Sequence, residues 1–404
     1  MRVIVLDGNE NQAVACVRSL GRAGFDVDVG ADTGWSKAGW SRYCRRQLRY
    51  TPPQKDVTAF VSEVSRAAAE SPGTLVLPMT ERTTIALSEH RAALDAVQAR
   101  YVLPAHERVM QAMDKSFTTE LARSLHIATP LSVLVERDSD VDRLAAIARY
   151  PLVLKPRTSE EVVEGRSTRS TGKPLYVRSE RELRDACRVL MRRTIAVLAQ
   201  EYIEGTGSGY FALMNHGSLR AEFSHRRLRD VRPSGSGSAL RESVRVDPRI
   251  RAAALPILEA LRWHGPAMVE FRISEDGSPV FLEVNGRFWN SLALAVHSGV
   301  DFPLLVARLA FDADVAPVVD YQAGVRCRWW LGDVRHVAAV MRGRPASFEG
   351  RFPGRLETLA AFLTPVRGTR HDNFTWDDPL PEFGDWIDFL GRRIPGALSS
   401  RSTA

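Results

Sequence analysis

Residues 268–273 read Met-Val-Glu-Phe-Arg-Ile, residues 274–278 Ser-Glu-Asp-Gly-Ser, and residues 279–285 Pro-Val-Phe-Leu-Glu-Val-Asn. Asp-Gly between two alternating runs is the strongest short-range hairpin signal, because a type I′ turn needs positive φ at both central residues. With Asp276-Gly277 as a two-residue loop, Ile273 is expected opposite Val280, Phe271 opposite Leu282 and Glu270 opposite Glu283. Period-2 alternation then turns Val269, Phe271, Ile273, Val280, Leu282 and Val284 toward a core, and Glu270, Glu283, Asn285 and Arg287 the other way. Like charges directly opposite on a sheet repel, so this pairing asks for a counterion. Two carboxylates and an amide oxygen make a hard-oxygen site suited to Mg²⁺ or Mn²⁺. Mg²⁺ commonly completes such a shell with substrate phosphates, which points to a nucleotide. Arg287 is placed to stabilise the charge of a phosphoryl-transfer transition state. A merely solvated face would more simply pair Glu with Lys, and a one-residue slip in register would break the constellation.

Lysine is scarce in this chain, and two lysines stand in strategic places. Lys155 closes the apolar run Leu152-Val153-Leu154 and precedes residues 157–174, a polar Ser/Thr/Gly-rich stretch expected to be a mobile loop. A lysine at a strand end reaches a phosphate as a point charge while loop N–H groups cover it. Lys115, in Met113-Asp114-Lys115-Ser116, is read the same way, with an ordinary surface lysine as the alternative at both positions. Residues 200–209, Gln-Glu-Tyr-Ile-Glu-Gly-Thr-Gly-Ser-Gly, read either as a plain strand exit or as a hinge. In the hinge reading, backbone donors and acceptors meet an adenine and the glycines allow close approach. Walker A, H-E-x-x-H and G-x-S-x-G motifs are absent.

The elements that must hold these residues are legible in outline. Residues 1–30 read strand, tight turn, helix, strand: a Rossmann-like start. Gly8 stands alone where a dinucleotide fingerprint needs G-x-G-x-x-G, so a structural α/β unit is expected. A strand over 74–77 runs into Pro78-Met79-Thr80-Glu81-Arg82, a strand-end loop of the kind where ligands gather. A linker helix is expected within 111–130, strands at 131–135, 152–154 and 195–199, and a second flexible loop at 233–238. Beyond about residue 320 the composition shifts to Trp, Arg and Pro.

At 404 residues the chain exceeds one ordinary core, and two to four subdomains are expected. Four cysteines without C-x-x-C spacing disfavour a structural zinc or disulfide framework and suggest a reducing cytoplasm. No apolar run approaches a membrane span. The net charge of +7 is spread along the chain with no nucleic-acid-binding signature, so an anionic nucleotide explains it as well as DNA would.

Taken in order, Met113-Asp114-Lys115, Leu152–Pro156, Gln200-Glu201-Tyr202-Ile203-Glu204-Gly205 and Glu270 with Phe281-Leu282-Glu283-Val284-Asn285-Gly286-Arg287 resemble the ATP-grasp superfamily over roughly residues 1–310. His225-Arg226-Arg227-Leu228-Arg229 and the Pro/Gly/Ser loop after it look like the carboxylate–amine ligase branch. The resemblance implies an α/β (α+β) architecture. It comprises a Rossmann-like pre-ATP-grasp domain (1–110), a lid-bearing subdomain (111–193), a metal-binding catalytic subdomain (194–320) and a C-terminal extension (321–404). It implies that Lys115 and Lys155 contact ATP phosphates under a lid formed by 157–174. The Glu201 and Ile203 backbone would read the adenine with Gln200 alongside, although many relatives carry Glu at that position. Glu270, Glu283 and Asn285 would bind one or two Mg²⁺, and Arg287 would steady an acyl phosphate.

The expected activity is therefore ATP-dependent ligation of a small carboxylate to an amine, releasing ADP and phosphate. A thiol or bicarbonate nucleophile and a non-catalytic nucleotide-binding scaffold are the alternatives. No membrane or nucleic-acid partner is expected, and a homodimer is left open.

Overall fold

The computed structural model describes residues 1–163, 167–170, 174–233, 237–344, 352–364 and 366–391. Three largely buried strands, β1 (Arg2–Val5), β2 (Asp26–Ala31) and β4 (Leu75–Leu77), and the polar edge strand β3 (Cys44–Arg49) form a parallel sheet in the order β3-β2-β1-β4. β1 is buried on both faces. Val3 and Val5 pack with Val14, Val17 and Leu20 of the helix Asn11–Arg22, whereas Ile4 packs with Phe60 and Val64 of the helix Val57–Ala69. That two-sided burial explains the unbroken run of aliphatic residues and gives the Rossmann-like layering.

A second sheet is antiparallel. It uses β5 (Ser132–Val135), β6 (Leu152–Pro156), β9 (Leu175–Val177) and β10 (Val197–Glu201), in the order β5-β10-β6-β9. Between β6 and β9, the stretch expected to be structureless holds a hairpin of β7 (Glu160–Val163) and β8 (Ser167–Ser170). Its sequence gave no period-2 hydrophobic signal. Alternation sorts the faces of the larger sheet cleanly. Val135, Leu152, Leu154, Val197 and Ala199 join the helices Asp138–Ile147 and Glu180–Leu190 in one core. Val153, Lys155, Leu198 and Gln200 fall on the other face.

The third sheet has seven strands, ordered β15-β14-β11-β12-β13-β16-β17. These are β11 (Thr206–Asn215), β12 (Ser218–Asp230), β13 (Ser238–Val244), β14 (Gly265–Ile273), β15 (Pro279–Asn285), β16 (Arg326–Arg328) and β17 (Arg370–His371). Tyr210, Val269, Phe271 and Phe281 pack on one side with the helix Pro248–Ala260. On the other side Phe211, Phe223 and Met268 join Trp289 and the core of the first sheet. Buried ion pairs also tie the C-terminal residues to the first sheet's layer: Arg18 to Asp378 at 2.9 Å and Lys37 to Asp385 at 2.9 Å.

The β14–β15 connection departs from the expected turn. It is a five-residue loop, with the Ser274 N–H donating to the Ser278 carbonyl at 3.0 Å. Gly277 alone takes positive φ (81°) there, so the turn is not type I′. Ile273 therefore lies opposite Pro279, Arg272 opposite Val280 and Phe271 opposite Phe281. A bulge after Glu270 then absorbs Leu282 and restores the expected Glu270–Glu283 pair. Phe281, fully buried and edge-on to Phe271 at 6.1 Å, takes the core place expected of Leu282. No helix among the described residues is long and apolar enough to cross a membrane.

Candidate active site

The second and third sheets face one another across a cleft, and the residues singled out from the sequence line both walls. Glu270 and Glu283 are directly paired on β14 and β15. Lys115 Nζ approaches Glu283 Oε2 to 3.7 Å and donates to Ser159 Oγ at 3.0 Å. Its place is fixed by Asp114, not by a continuous linker helix. Asp114 ends the helix His106–Met113 and caps the helix Lys115–Ser124 by accepting from the N–H groups of Ser116 and Phe117. Asp114 Oδ2 also accepts two hydrogen bonds from Arg157, at 2.8 and 2.6 Å, just past the end of β6. One carboxylate thus joins the two lysine-bearing segments.

Arg287 reaches the same place from beyond β15. Its Nη2 donates to Asn285 Oδ1 at 3.3 Å and lies 3.6 Å from Glu81 Oε1. Glu81 opens the helix Glu81–Glu89 after the strand-end loop of β4. Asp7 holds that loop, with Oδ2 accepting from the N–H groups of Met79 and Thr80 at 3.0 Å and from Thr83 Oγ1 at 2.6 Å. The Rossmann-like layer therefore helps to aim an arginine on the third sheet.

Burial is the largest influence on the ionisation of Glu270, Glu283 and Lys155. It raises the pKa of Glu270, with Glu283 adding to the rise and Arg227 and Lys155 opposing it. Burial opposes ionisation of Glu283 as well, but Lys115, Lys155 and Arg287 outweigh it and hold this carboxyl below the usual glutamate value. Lys155 is lowered by burial, partly offset by Glu283. These couplings bring Lys115, Lys155 and Arg287 around the two glutamates.

On the opposite wall, Gln200 is 2% exposed and donates to Ser132 Oγ at 3.1 Å, sharing its face with Lys155. The Glu201 N–H is taken by the Leu131 carbonyl at 2.8 Å. Any adenine contact at Glu201 therefore falls to its carbonyl.

This pair of sheets with a Rossmann-like layer matches solved structures. PurK, an N5-carboxyaminoimidazole ribonucleotide synthetase solved as its ADP complex, superposes with a TM-score of 0.63 at 14% identity, covering 89% of this chain and 96% of that one. The L-amino acid ligase from Bacillus licheniformis gives 0.59 at 17% identity over 77% and 74%. Residues 194–332 match the family model described as ATP-grasp in the biosynthetic pathway with Ter operon. Over that stretch the chain is similar to the ATP-grasp family. A D-alanine–D-alanine ligase of Nitrosospira multiformis is 27% identical over 221 residues, 52% of this chain. The chain spans 66% of that ligase's length, just under two thirds.

The donor set fits a divalent cation: two opposed carboxylates and an amide oxygen, all hard donors. The described residues hold no cluster of three or more His, Cys, Asp and Glu side chains with metal-binding geometry, so other oxygens must complete the shell. The structure adds to the candidate site four residues that the sequence assigned no specific role: Glu81, Ser159, Arg227 and Arg272. Arg272 carried a signal, standing two residues past Glu270 on the same strand face. Glu81 stood in the strand-end loop after β4, whereas Ser159 carried no signal, its partner lying 44 residues away along the chain.

Proposed function

We propose that this protein is an ATP-grasp enzyme, an ATP-dependent ligase that activates a small-molecule carboxylate as an acyl phosphate and joins it to an amine. The observation supporting this most is the opposed Glu270–Glu283 pair with Lys115, Lys155 and Arg287 gathered about it. A carboxylate resists nucleophiles at neutral pH, and phosphorylation gives it a leaving group. Lys115 and Lys155 bind the triphosphate and align its terminal phosphoryl group with the attacking carboxylate oxygen. Glu270, Glu283 and Asn285 are the residues that would hold Mg²⁺, which when bound neutralises the phosphate charge. Arg287 steadies the negative charge of the acyl phosphate and of the tetrahedral adduct formed by the amine. The Glu201 carbonyl and Ile203 N–H read the adenine edge, with Gln200 beside them. The β7–β8 hairpin covers the nucleotide and keeps water from the acyl phosphate. The free thiols of Cys16, Cys44, Cys187 and Cys327 suit a reducing compartment such as the cytoplasm.

A screen for ADP release over amino acids and small amines, followed by ¹⁸O-labelled acid with the best pair, tests this. Label carried into phosphate is expected. ADP formed without label transfer would overturn the acyl-phosphate route.

A further inference from the structure

Beside the two glutamates, the third sheet carries a pair of arginines that make no ion pair shorter than 3.9 Å among the described residues. Arg227 on β12 and Arg272 on β14 flank Gly207 of the intervening strand β11. A Cβ placed on Gly207 would lie 3.6 Å from Arg227 Nη1 and 3.9 Å from Arg272 Nη1. Both guanidinium groups therefore converge on the space above one glycine. Gly207 has no positive φ, so backbone conformation does not demand glycine there. What its missing side chain leaves is room.

Neither arginine is neutralised in the usual way. Among the described residues Arg227 comes no nearer to a carboxylate than 3.9 Å, from Glu270 Oε2, and its side chain remains 26% exposed. Arg272 has no ion pair within 4 Å among the described residues. Asp230 faces both guanidinium groups but makes no ion pair with either among those residues, and its Oδ1 is buried without a hydrogen-bond partner. The neighbouring arginines on the sheet differ: Arg226 is bound to Glu242, Arg229 to Asp333 and Arg241 to Asp372. Two like charges held together beside an open notch favour an anion that can bridge them.

The position of the notch selects the anion. Arg272 lies one alternation from Glu270 toward the hairpin loop, and Lys155 and Tyr176 from the opposite wall both feel its charge. Tyr176 is itself edge-on to Tyr202, in the strand exit after Gln200, at 6.0 Å. The notch thus sits between that exit and the glutamate pair, along the path a nucleotide follows from base to terminal phosphate. We infer that Arg227 and Arg272 form a clamp, seated over Gly207, for a non-terminal phosphate of the bound nucleotide. This rests on the nucleotide-binding reading proposed above. It adds anchors from the catalytic sheet to the two lysines across the cleft.

Calorimetric titration of the full chain with adenosine, AMP and ADP in the presence of Mg²⁺ tests the clamp. Arg272→Met and Arg227→Met are each expected to weaken ADP roughly ten- to a hundredfold, as loss of charge-assisted hydrogen bonds does, and to leave adenosine unchanged. Gly207→Val keeps both charges and suits a strand but fills the notch, and is expected to weaken ADP by a similar factor. Thermal unfolding of each variant identifies any that fail to fold, and the remaining substitutions then decide. ADP affinity unchanged in all three, or adenosine and ADP weakened equally, overturns the clamp while leaving the ligase proposal standing. Wild-type protein that binds no ADP overturns both.

Discussion

Glu270 and Glu283 stand directly opposite one another on β14 and β15, yet their surroundings push them apart in acidity. Burial leaves Glu270 reluctant to ionise, whereas two lysines and an arginine hold Glu283 as a carboxylate. Glu283 is thus the fixed anion of the pair. Glu283→Gln keeps its shape and removes its charge, so turnover is expected to fall roughly a thousandfold or more, the several kcal/mol that metal-borne charge stabilisation contributes. ADP release and circular dichroism measured together check this. Retained turnover would remove Glu283 from the metal site.

Arg287 and Glu81 should separate into a catalytic and an orienting role. Arg287→Ala is expected to lower kcat by about a hundredfold or more, as loss of a preorganised charge does. Glu81→Gln only loosens the 3.6 Å contact, and a fall of at most about tenfold is expected. Equal losses in the two variants, read from steady-state kcat, would contradict this division.

Asp114 joins the segments carrying Lys115 and Lys155 through Arg157. Arg157 is 41% exposed, so Arg157→Ala should cost about 1 kcal/mol of stability or less. Its larger effect is expected on positioning: KM for ATP up to about tenfold higher, with kcat changed less. A variant losing kcat with KM unchanged would place Arg157 elsewhere in the chemistry.

The C-terminal residues are clasped to the first layer by buried charge. Arg18 is 5% exposed and donates to Asp378 and to the carbonyls of Asp372, Asn373 and Asp378. Arg18→Ala leaves Asp378 buried without its charge partner, and a loss of about 3–5 kcal/mol is expected from urea unfolding. A loss below about 1 kcal/mol would show the clasp to be incidental.

Glu382 predicts a pH dependence of folding. Burial, the largest influence, raises its pKa from 4.5 to about 7, against a hydrogen bond from Trp386 at 2.9 Å. The folded state therefore holds a proton that the unfolded chain releases between these values. This contribution to stability is fully present below pH 4.5 and falls as pH rises to about 7. Glu382→Gln should be more stable than wild type at pH 8 by up to about 3 kcal/mol and nearly equal at pH 4. A difference independent of pH, measured by chemical denaturation at both values, would exclude this titration.

What the sequence settled by itself was local. Alternation and an Asp-Gly turn put Glu270 opposite Glu283, and an aliphatic run ending in lysine marked β6, because strand faces and turns are decided by neighbouring residues. The same rule failed within the hairpin. A five-residue loop and a bulge at Leu282 cancel in register, and only packing of Phe281 against Phe271 chooses that pair of irregularities. Likewise no local pattern tells which partners Glu81, Ser159 and Asp7 take. Their partners are brought close only when three sheets assemble, since ion pairs and hydrogen bonds across a cleft depend on distances in space that spacing along the chain does not encode.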